Sequence, residues 1–141
     1  MKLKAPLNNK CGIILFFHIP KTGGGSVNKW LGTHTKVLDT YGMIIKYSGY
    51  TKNYTKIETA WKKILPAANQ FVRNMSPTKG WKAMRLHHHF PGMYYNKDIV
   101  QNWKNIVEDK GCVFHITTIL RDPLSRFVSN YNKNHLIRSA K

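Results

Sequence analysis

The chain has 141 residues and a formal net charge of +17, with 23 Lys and Arg against 6 Asp and Glu. The length fits one domain, expected to span 1–141, and a hydrophobic content of 42% excludes a disordered or fibrous protein. The charge favours an anionic partner without choosing among nucleic acid, anionic lipid, acidic polysaccharide and polyphosphate ligands.

The first half of the chain predicts a buried strand, a loop and helices. A continuous apolar run over 13–19 is typical of a central parallel strand, and it ends at a proline and a glycine cluster. Ser26 lies near the start of the helix predicted next. The short apolar run 43–45 predicts a strand, and apolar residues at helical spacing over 57–68 predict a helix with a break near Pro66.

The second half alternates strands and helices. A strand over 83–86 leads into three histidines, and apolar residues between 99 and 107 predict an amphipathic helix. The β-branched segment 112–120 predicts another strand, and Pro123 suits the first turn of a last helix with apolar residues of 124–131 on one face. This alternation predicts an α/β fold of three layers, P-loop-like, with a central parallel sheet flanked by helices. Ligands of such sheets bind beyond the carboxyl ends of the strands.

The segment 20–26, Pro-Lys-Thr-Gly-Gly-Gly-Ser, is a strand-to-helix turn with phosphate-binding character. Its glycines allow successive backbone N–H groups to converge on an anion at a helix N-terminus. Lys21 can neutralise an oxygen that bridges two anionic groups, and Thr22 and Ser26 supply hydroxyl donors. Because the lysine precedes the glycines, the segment matches neither G-x-x-x-x-G-K-[ST] nor G-x-G-x-x-G, which disfavours a plain kinase or dinucleotide enzyme. An ordinary glycine turn is the alternative.

A second cluster follows the last predicted strand, over 121–131. Arg121 lies at the strand end and Ser129 two turns into the following helix, so both can face one phosphate. Taken singly, Arg121 would be interpreted as a surface ion pair and Ser129 as a solvated helical serine. Their combination with the glycine loop favours a phosphate site.

These two clusters together resemble the donor site of a known enzyme family. The segment 16–26 resembles the 5′-phosphosulfate loop of the Golgi carbohydrate sulfotransferases, and 121–131 resembles their 3′-phosphate motif. The most similar group is that of the heparan sulfate 2-O-sulfotransferases and uronyl sulfotransferases, whose loop usually reads I-P-K-T-G-G-T-S and whose second motif reads R-D-P followed by S-R-F. The resemblance implies transfer of a sulfuryl group from 3′-phosphoadenosine 5′-phosphosulfate (PAPS) to a carbohydrate hydroxyl.

The resemblance also assigns residues. It implies that the 5′-phosphosulfate is bound by the loop residues Lys21, Thr22, Gly23, Gly24, Gly25 and Ser26, and the 3′-phosphate by Arg121 and Ser129. Gly25 is a departure from the family, because it stands where the relatives carry threonine. One side-chain donor is therefore missing from the loop.

The histidine triplet 87–89 matches the H-x-H element that supplies the catalytic base in these relatives. A histidine with a pKa near 6.5 can remove a hydroxyl proton at neutral pH, and on a strand His87 and His89 share a face. We expect His89 to be the base, His87 its partner or an acceptor ligand, and Lys21 to stabilise the departing phosphate oxygen. A solvated or metal-scavenging histidine run is the alternative.

The family continues well beyond the second motif, so the resemblance predicts a partial, C-terminally shortened sulfotransferase domain. A noncatalytic module that binds nucleotide or polyanion is therefore the alternative function. The expected acceptor is an anionic carbohydrate, and residence in the Golgi lumen or at its membrane follows from the resemblance alone, because no anchor or targeting segment is recognised in this chain. Neither a metal nor a specific nucleic-acid partner is expected, since no zinc-type cysteine spacing and no RNA-binding or helix-turn-helix signature is present.

The two cysteines occupy equivalent sequence positions before the two motifs. Cys11 precedes Pro20 by nine residues, and Cys112 precedes Arg121 by nine. If the two strands are neighbours, the cysteines lie at equal depth in the sheet, where a disulfide is one hypothesis.

Overall fold

Strands and helices alternate within residues 8–19, 22–49, 53–87 and 97–139, the part of the chain that the computed structural model describes. In chain order the elements are β1 (Asn8–His18), α1 (Gly24–His34), β2 (Lys36–Asp39), α2 (Thr40–Ser48), α3 (Tyr54–Arg73), a 3₁₀ turn (Pro77–Lys79), β3 (Trp81–His87), α4 (Lys97–Asp109), β4 (Cys112–Thr118) and α5 (Pro123–Ser139). The strands form one parallel sheet in the order β2-β3-β1-β4.

Each face of the sheet is covered by helices. Along β1, Ile13 and Leu15 point into a buried cluster with side chains of α3 and α4. Phe16 points the other way and packs with Leu31 of α1. Because side chains alternate between the faces of a strand, one continuous apolar run serves both layers. The predicted α/β fold, with a central parallel sheet flanked by helices, is confirmed.

The segment 43–45 forms part of α2, so the predicted strand there is wrong. A three-residue apolar run does not distinguish a strand from a turn of helix, because both can bury it. The Thr40 hydroxyl at the start of α2 donates to the carbonyl of Arg85 at 2.5 Å, and Met43 packs against the main core. The strand that the sequence analysis did not identify is β2, which is only four residues long.

The helix α3 continues through Pro66, so the predicted break is also wrong. Pro66 is exposed, whereas Ile64 and Ala68 on either side of it are fully buried. A proline inside a helix removes one backbone hydrogen bond and costs about 3 kcal/mol. Burial of the apolar side of α3, which faces the sheet, offsets that cost.

Cys11 and Cys112 are joined by a disulfide, with 5.1 Å between their Cα atoms. Both residues are fully buried, in adjacent strands β1 and β4. The equal spacing to the two motifs therefore reflects equal depth in the sheet. In the described part of the chain, no helix has the length and apolar character needed to cross a membrane.

The last helix, α5, begins at Pro123 as predicted. Four apolar side chains in its first half are exposed to solvent, with exposed fractions between 47% and 70%: Leu124, Phe127, Val128 and Tyr131. The rings of Phe127 and Tyr131 stack on each other. Helical periodicity therefore marked one face of α5 correctly, but that face does not belong to the core.

Candidate active site at the carboxyl edge of the sheet

The three sequence clusters follow three adjacent strands at one edge of the sheet. In the parallel register, His18 at the end of β1 pairs with His87 at the end of β3. On the other side, Phe17 pairs with Thr118, whose hydroxyl donates to the Phe17 carbonyl at 2.7 Å. The chain therefore leaves all three strands side by side, at the edge where parallel α/β sheets bind ligands.

The glycine loop ends in a left-handed residue at the N-cap of α1. Gly23 has a φ of 87°, which favours glycine, and no side chain caps the helix. The N–H of Ser26 donates to the Gly23 carbonyl at 3.2 Å. At such a helix start the first backbone N–H groups have no intrahelical acceptor one turn back, and no side chain caps them here, an arrangement that can bind anions.

Thr22 ties the loop to the end of β1. It is buried, and its hydroxyl donates to the carbonyl of Ile19 at 2.7 Å. To donate to an anion, which is its predicted role, the Thr22 hydroxyl would have to give up its hydrogen bond to the Ile19 carbonyl. Ser26 is exposed on the first turn of α1 and can reach solvent.

The imidazole of His18 occupies the space beside the first residue of α1. A Cβ atom added to Gly24 would lie 2.1 Å from Cδ2 and 2.2 Å from Nε2 of His18. Gly24 is therefore required by a close approach, whereas a Cβ at Gly25 would meet nothing within 4 Å. A side chain at position 25, where the sulfotransferases carry threonine, would therefore begin in open space.

Arg85 holds His18 in this orientation. The guanidinium donates to Nδ1 of His18 at 2.7 Å and lies 3.6 Å from the Asp39 carboxylate at the end of β2. Since Nδ1 accepts this hydrogen bond, the neutral imidazole carries its proton on Nε2, the atom beside Gly24. Partial burial, followed by the charge of Arg85, lowers the pKa of His18, and Asp39 opposes the shift only weakly.

Sequence reasoning missed this group of three residues. His18 was placed inside the resemblance without a role, and Arg85 was assigned only to a strand. Arg85 is 67 residues from His18, so their contact depends on the pairing of β1 with β3. The one available signal was a charged residue inside an apolar strand segment, because such a residue usually has a partner when it is buried.

Arg121 and Ser129 lie around one open depression of about 470 Å³, lined by Arg121, Leu124, Ser125, Val128, Ser129 and Asn132. Asp122 caps α5 beneath them, its carboxylate accepting the N–H of Ser125 at 2.7 Å. The hydrogen bonds from Ser125 lower the pKa of Asp122, and Arg121 adds to the effect. This cap stabilises the first turn of α5. Arg121, just before the helix, and Ser129, within it, line the same depression.

His87 is the last residue of β3. Lys21, His88 and His89 lie outside the described residues. The catalytic roles assigned to Lys21, His87 and His89 therefore stay predictions.

Comparison with known proteins identifies the fold and not the family. No protein-family model matches the sequence, and no curated protein matches it. A solved structure described as a putative kinase from Chloroflexus aurantiacus is similar, with a TM-score of 0.56 and 13% sequence identity, over 90% of this chain and 70% of that one. At this identity the similarity is one of fold. The chain thus has the α/β architecture, with a parallel sheet flanked by helices, that is also found in this kinase-like protein.

Proposed function

We propose that this protein is a sulfotransferase that moves a sulfuryl group from PAPS to a carbohydrate hydroxyl. The observation that carries the proposal is the meeting of three motif-bearing strand ends at one edge of the sheet. The glycine loop follows β1, the histidines follow β3, and Arg121 follows β4. A nucleotide carrying a 5′-phosphosulfate and a 3′-phosphate requires two anion sites on one such edge.

The local chemistry supports a donor with two anionic ends. A helix start with uncapped N–H groups suits the 5′-phosphosulfate. An arginine and a serine around one depression suit the 3′-phosphate, because a guanidinium binds phosphate oxygens in a bidentate manner. The net charge of +17 strengthens both sites and favours an anionic carbohydrate acceptor.

In the proposed reaction, the acceptor hydroxyl attacks sulfur in line with the bond to the phosphate oxygen. The new oxygen–sulfur bond forms as the bond between sulfur and the bridging oxygen breaks, and 3′-phosphoadenosine 5′-phosphate (PAP) departs. His89 accepts the hydroxyl proton, with His87 orienting it or the acceptor. Lys21 stabilises the negative charge that develops on the departing oxygen.

A compartment of the secretory pathway, the Golgi lumen by resemblance, is part of the same proposal. The Cys11–Cys112 disulfide supports it, since such bonds persist in oxidising compartments. Association with the Golgi membrane rests on the resemblance alone.

The test is calorimetric titration of the purified chain with PAP at two salt concentrations, alongside ATP. We expect saturable PAP binding that is tighter than ATP binding. Arg121→Ala should weaken it about 10- to 100-fold, the loss expected for one charge-assisted contact. The matched control is Arg73→Ala, which removes the same charge from an exposed position at the end of α3, outside the depression. Lys21→Ala should weaken binding as well.

Turnover is then measured with radiolabelled PAPS and desulfated polysaccharide acceptors. Sulfate transfer that is lost in His89→Ala supports the enzyme. PAP binding without transfer to any acceptor would instead favour the noncatalytic nucleotide-binding module. Absence of PAP binding by a folded chain, or equal loss in the Arg121 and Arg73 variants, would refute a PAPS site.

A further inference from the structure

A group of lysines surrounds a cavity at the opposite edge of the sheet, where the strands begin. Lys36, the first residue of β2, pairs in register with Lys82 near the start of β3, and Lys79 lies in the 3₁₀ turn that precedes β3. With Phe71 and Asn74 they line a cavity of about 290 Å³. The described donor-site residues, Gly23 and Gly24 after β1 and Arg121 after β4, lie at the other edge.

The C-terminal end of α3 accounts for part of this charge. Lys82 is buried, and its ammonium group donates to the Asn74 carbonyl at 3.2 Å, while Lys110 donates to the carbonyl of Arg73. Cations are favoured at a helix C-terminus, where carbonyl groups lack intrahelical partners. These two lysines therefore have a structural explanation.

Lys36 and Lys79 have no such explanation. Both are exposed, and among the described residues neither ammonium group has a hydrogen-bond or ion-pair partner. They also add repulsion: burial, followed by the charges of Lys79, Lys36 and Lys110, lowers the pKa of Lys82. Within the described part of the chain, no carboxylate is among the causes of this shift. An anion in the cavity would relieve the repulsion between these ammonium groups.

The cavity suits an oxyanion group and not a nucleobase. The ammonium group of Lys82 lies over the Phe71 ring at 5.1 Å from its centroid, so that face cannot stack on a base. Phe71 is the one aromatic residue in the described lining. A polyanion that presents exocyclic sulfate groups can enter with one of them, without needing an aromatic platform.

From these contacts we propose that Lys36, Lys79 and Lys82 form a second anion site, which binds a sulfate group of an acidic polysaccharide. The site lies at the edge of the sheet opposite the glycine loop and does not depend on PAPS binding. It would hold the polysaccharide chain on a surface away from the proposed donor site.

The test is titration of the full chain with a sulfated heparin hexasaccharide, using the double variant Lys36→Gln/Lys79→Gln. These side chains are exposed, so the variant should fold normally, as circular dichroism would verify. We expect affinity to fall at least about tenfold, as for the loss of two charge-assisted contacts. The matched control is Lys56→Gln/Lys97→Gln, which removes two exposed charges elsewhere and should change affinity less than about threefold.

Amide chemical shifts provide the second readout. The hexasaccharide should shift the backbone signals of Phe71, Asn74 and Lys79 and leave those of Gly23 and Gly24 unchanged. Equal losses in the two double variants would mean diffuse attraction to the net charge and would overturn the site. An RNA oligomer of matched charge that bound as tightly, with the same shifts, would overturn the assignment to polysaccharide. A failed PAP titration would refute the donor site and leave this result unaffected.

Discussion

Gly24→Ala tests whether the imidazole of His18, at the end of β1, leaves room only for glycine at the start of α1. An alanine Cβ would lie 2.1 Å from the imidazole of His18, so the ring has to move. Overpacking of this kind costs about 1–3 kcal/mol. Displacing the ring also breaks its 2.7 Å hydrogen bond with Arg85, and loss of a bond to a charged group costs about 1.5–3 kcal/mol.

The neighbouring residue supplies the matched control. Gly25 lies in the same helical turn, and a Cβ there meets nothing within 4 Å. Gly25→Ala should therefore stabilise the protein by about 0.5–1 kcal/mol, by restricting the unfolded chain. The same gain applies to Gly24→Ala, whose net effect is then a destabilisation of about 2–5 kcal/mol.

Urea unfolding followed by circular dichroism measures the free energy of unfolding of both variants. The double variant His18→Ala/Gly24→Ala completes a mutant cycle, in which removal of the ring should make Gly24→Ala nearly neutral. If Gly24→Ala and Gly25→Ala are equally stable, His18 does not occupy the space beside the loop. The reasoning would then be wrong.

Four further predictions follow from single contacts. Burial and Arg85 lower the pKa of His18, so the free energy of unfolding should fall as the pH drops below about 6.5, the pKa of histidine in the unfolded chain. When this free energy is measured against pH, His18→Gln should show a shallower fall than the wild type. Identical curves for the two proteins would contradict the lowered pKa. Replacing Cys11 and Cys112 with serine opens a link across 101 residues and should cost about 2–5 kcal/mol in chemical unfolding; a smaller loss would argue that the thiols are unpaired. Asn53→Ala removes the helix-capping side chain that accepts hydrogen bonds from the N–H groups of Thr55 and Lys56, and it should lower the free energy of unfolding by about 1 kcal/mol. Asn53→Asp is the control, because aspartate can cap in the same way. Equal stability of the wild type and Asn53→Ala would show that the cap contributes nothing. Gly25→Thr should raise PAP affinity in calorimetry by restoring the missing donor in open space, and weaker binding would exclude the expected loop geometry.

Much of the candidate site could be predicted because its signals are local. The run before Pro20 and the glycines after it specify a strand, a turn and a helix within one short segment. Pro123 marks the start of α5 for the same reason. Once the strands are parallel, their carboxyl ends meet at one edge, so the convergence of the three clusters follows from the fold class.

The errors and omissions arise where packing outweighs local preference. The segment 43–45 is apolar in either a helix or a strand, and only its position against α3 and β3 selects the helix. Pro66 opposes a helix locally, yet the buried side of α3 maintains it. For α5, periodicity identified an apolar face but could not specify that the face remains exposed.

The sequence by itself determined the α/β class, the position of the glycine loop and the sheet edge where a ligand should bind, because each depends on neighbours within a few residues. Only the tertiary structure decided that Arg85 bridges His18 and Asp39, and that Lys36 and Lys82 meet around one cavity. Those contacts join residues far apart in the chain. They exist because the register of β3 against β1 and β2 sets which side chains lie side by side, and that register is a property of the whole sheet.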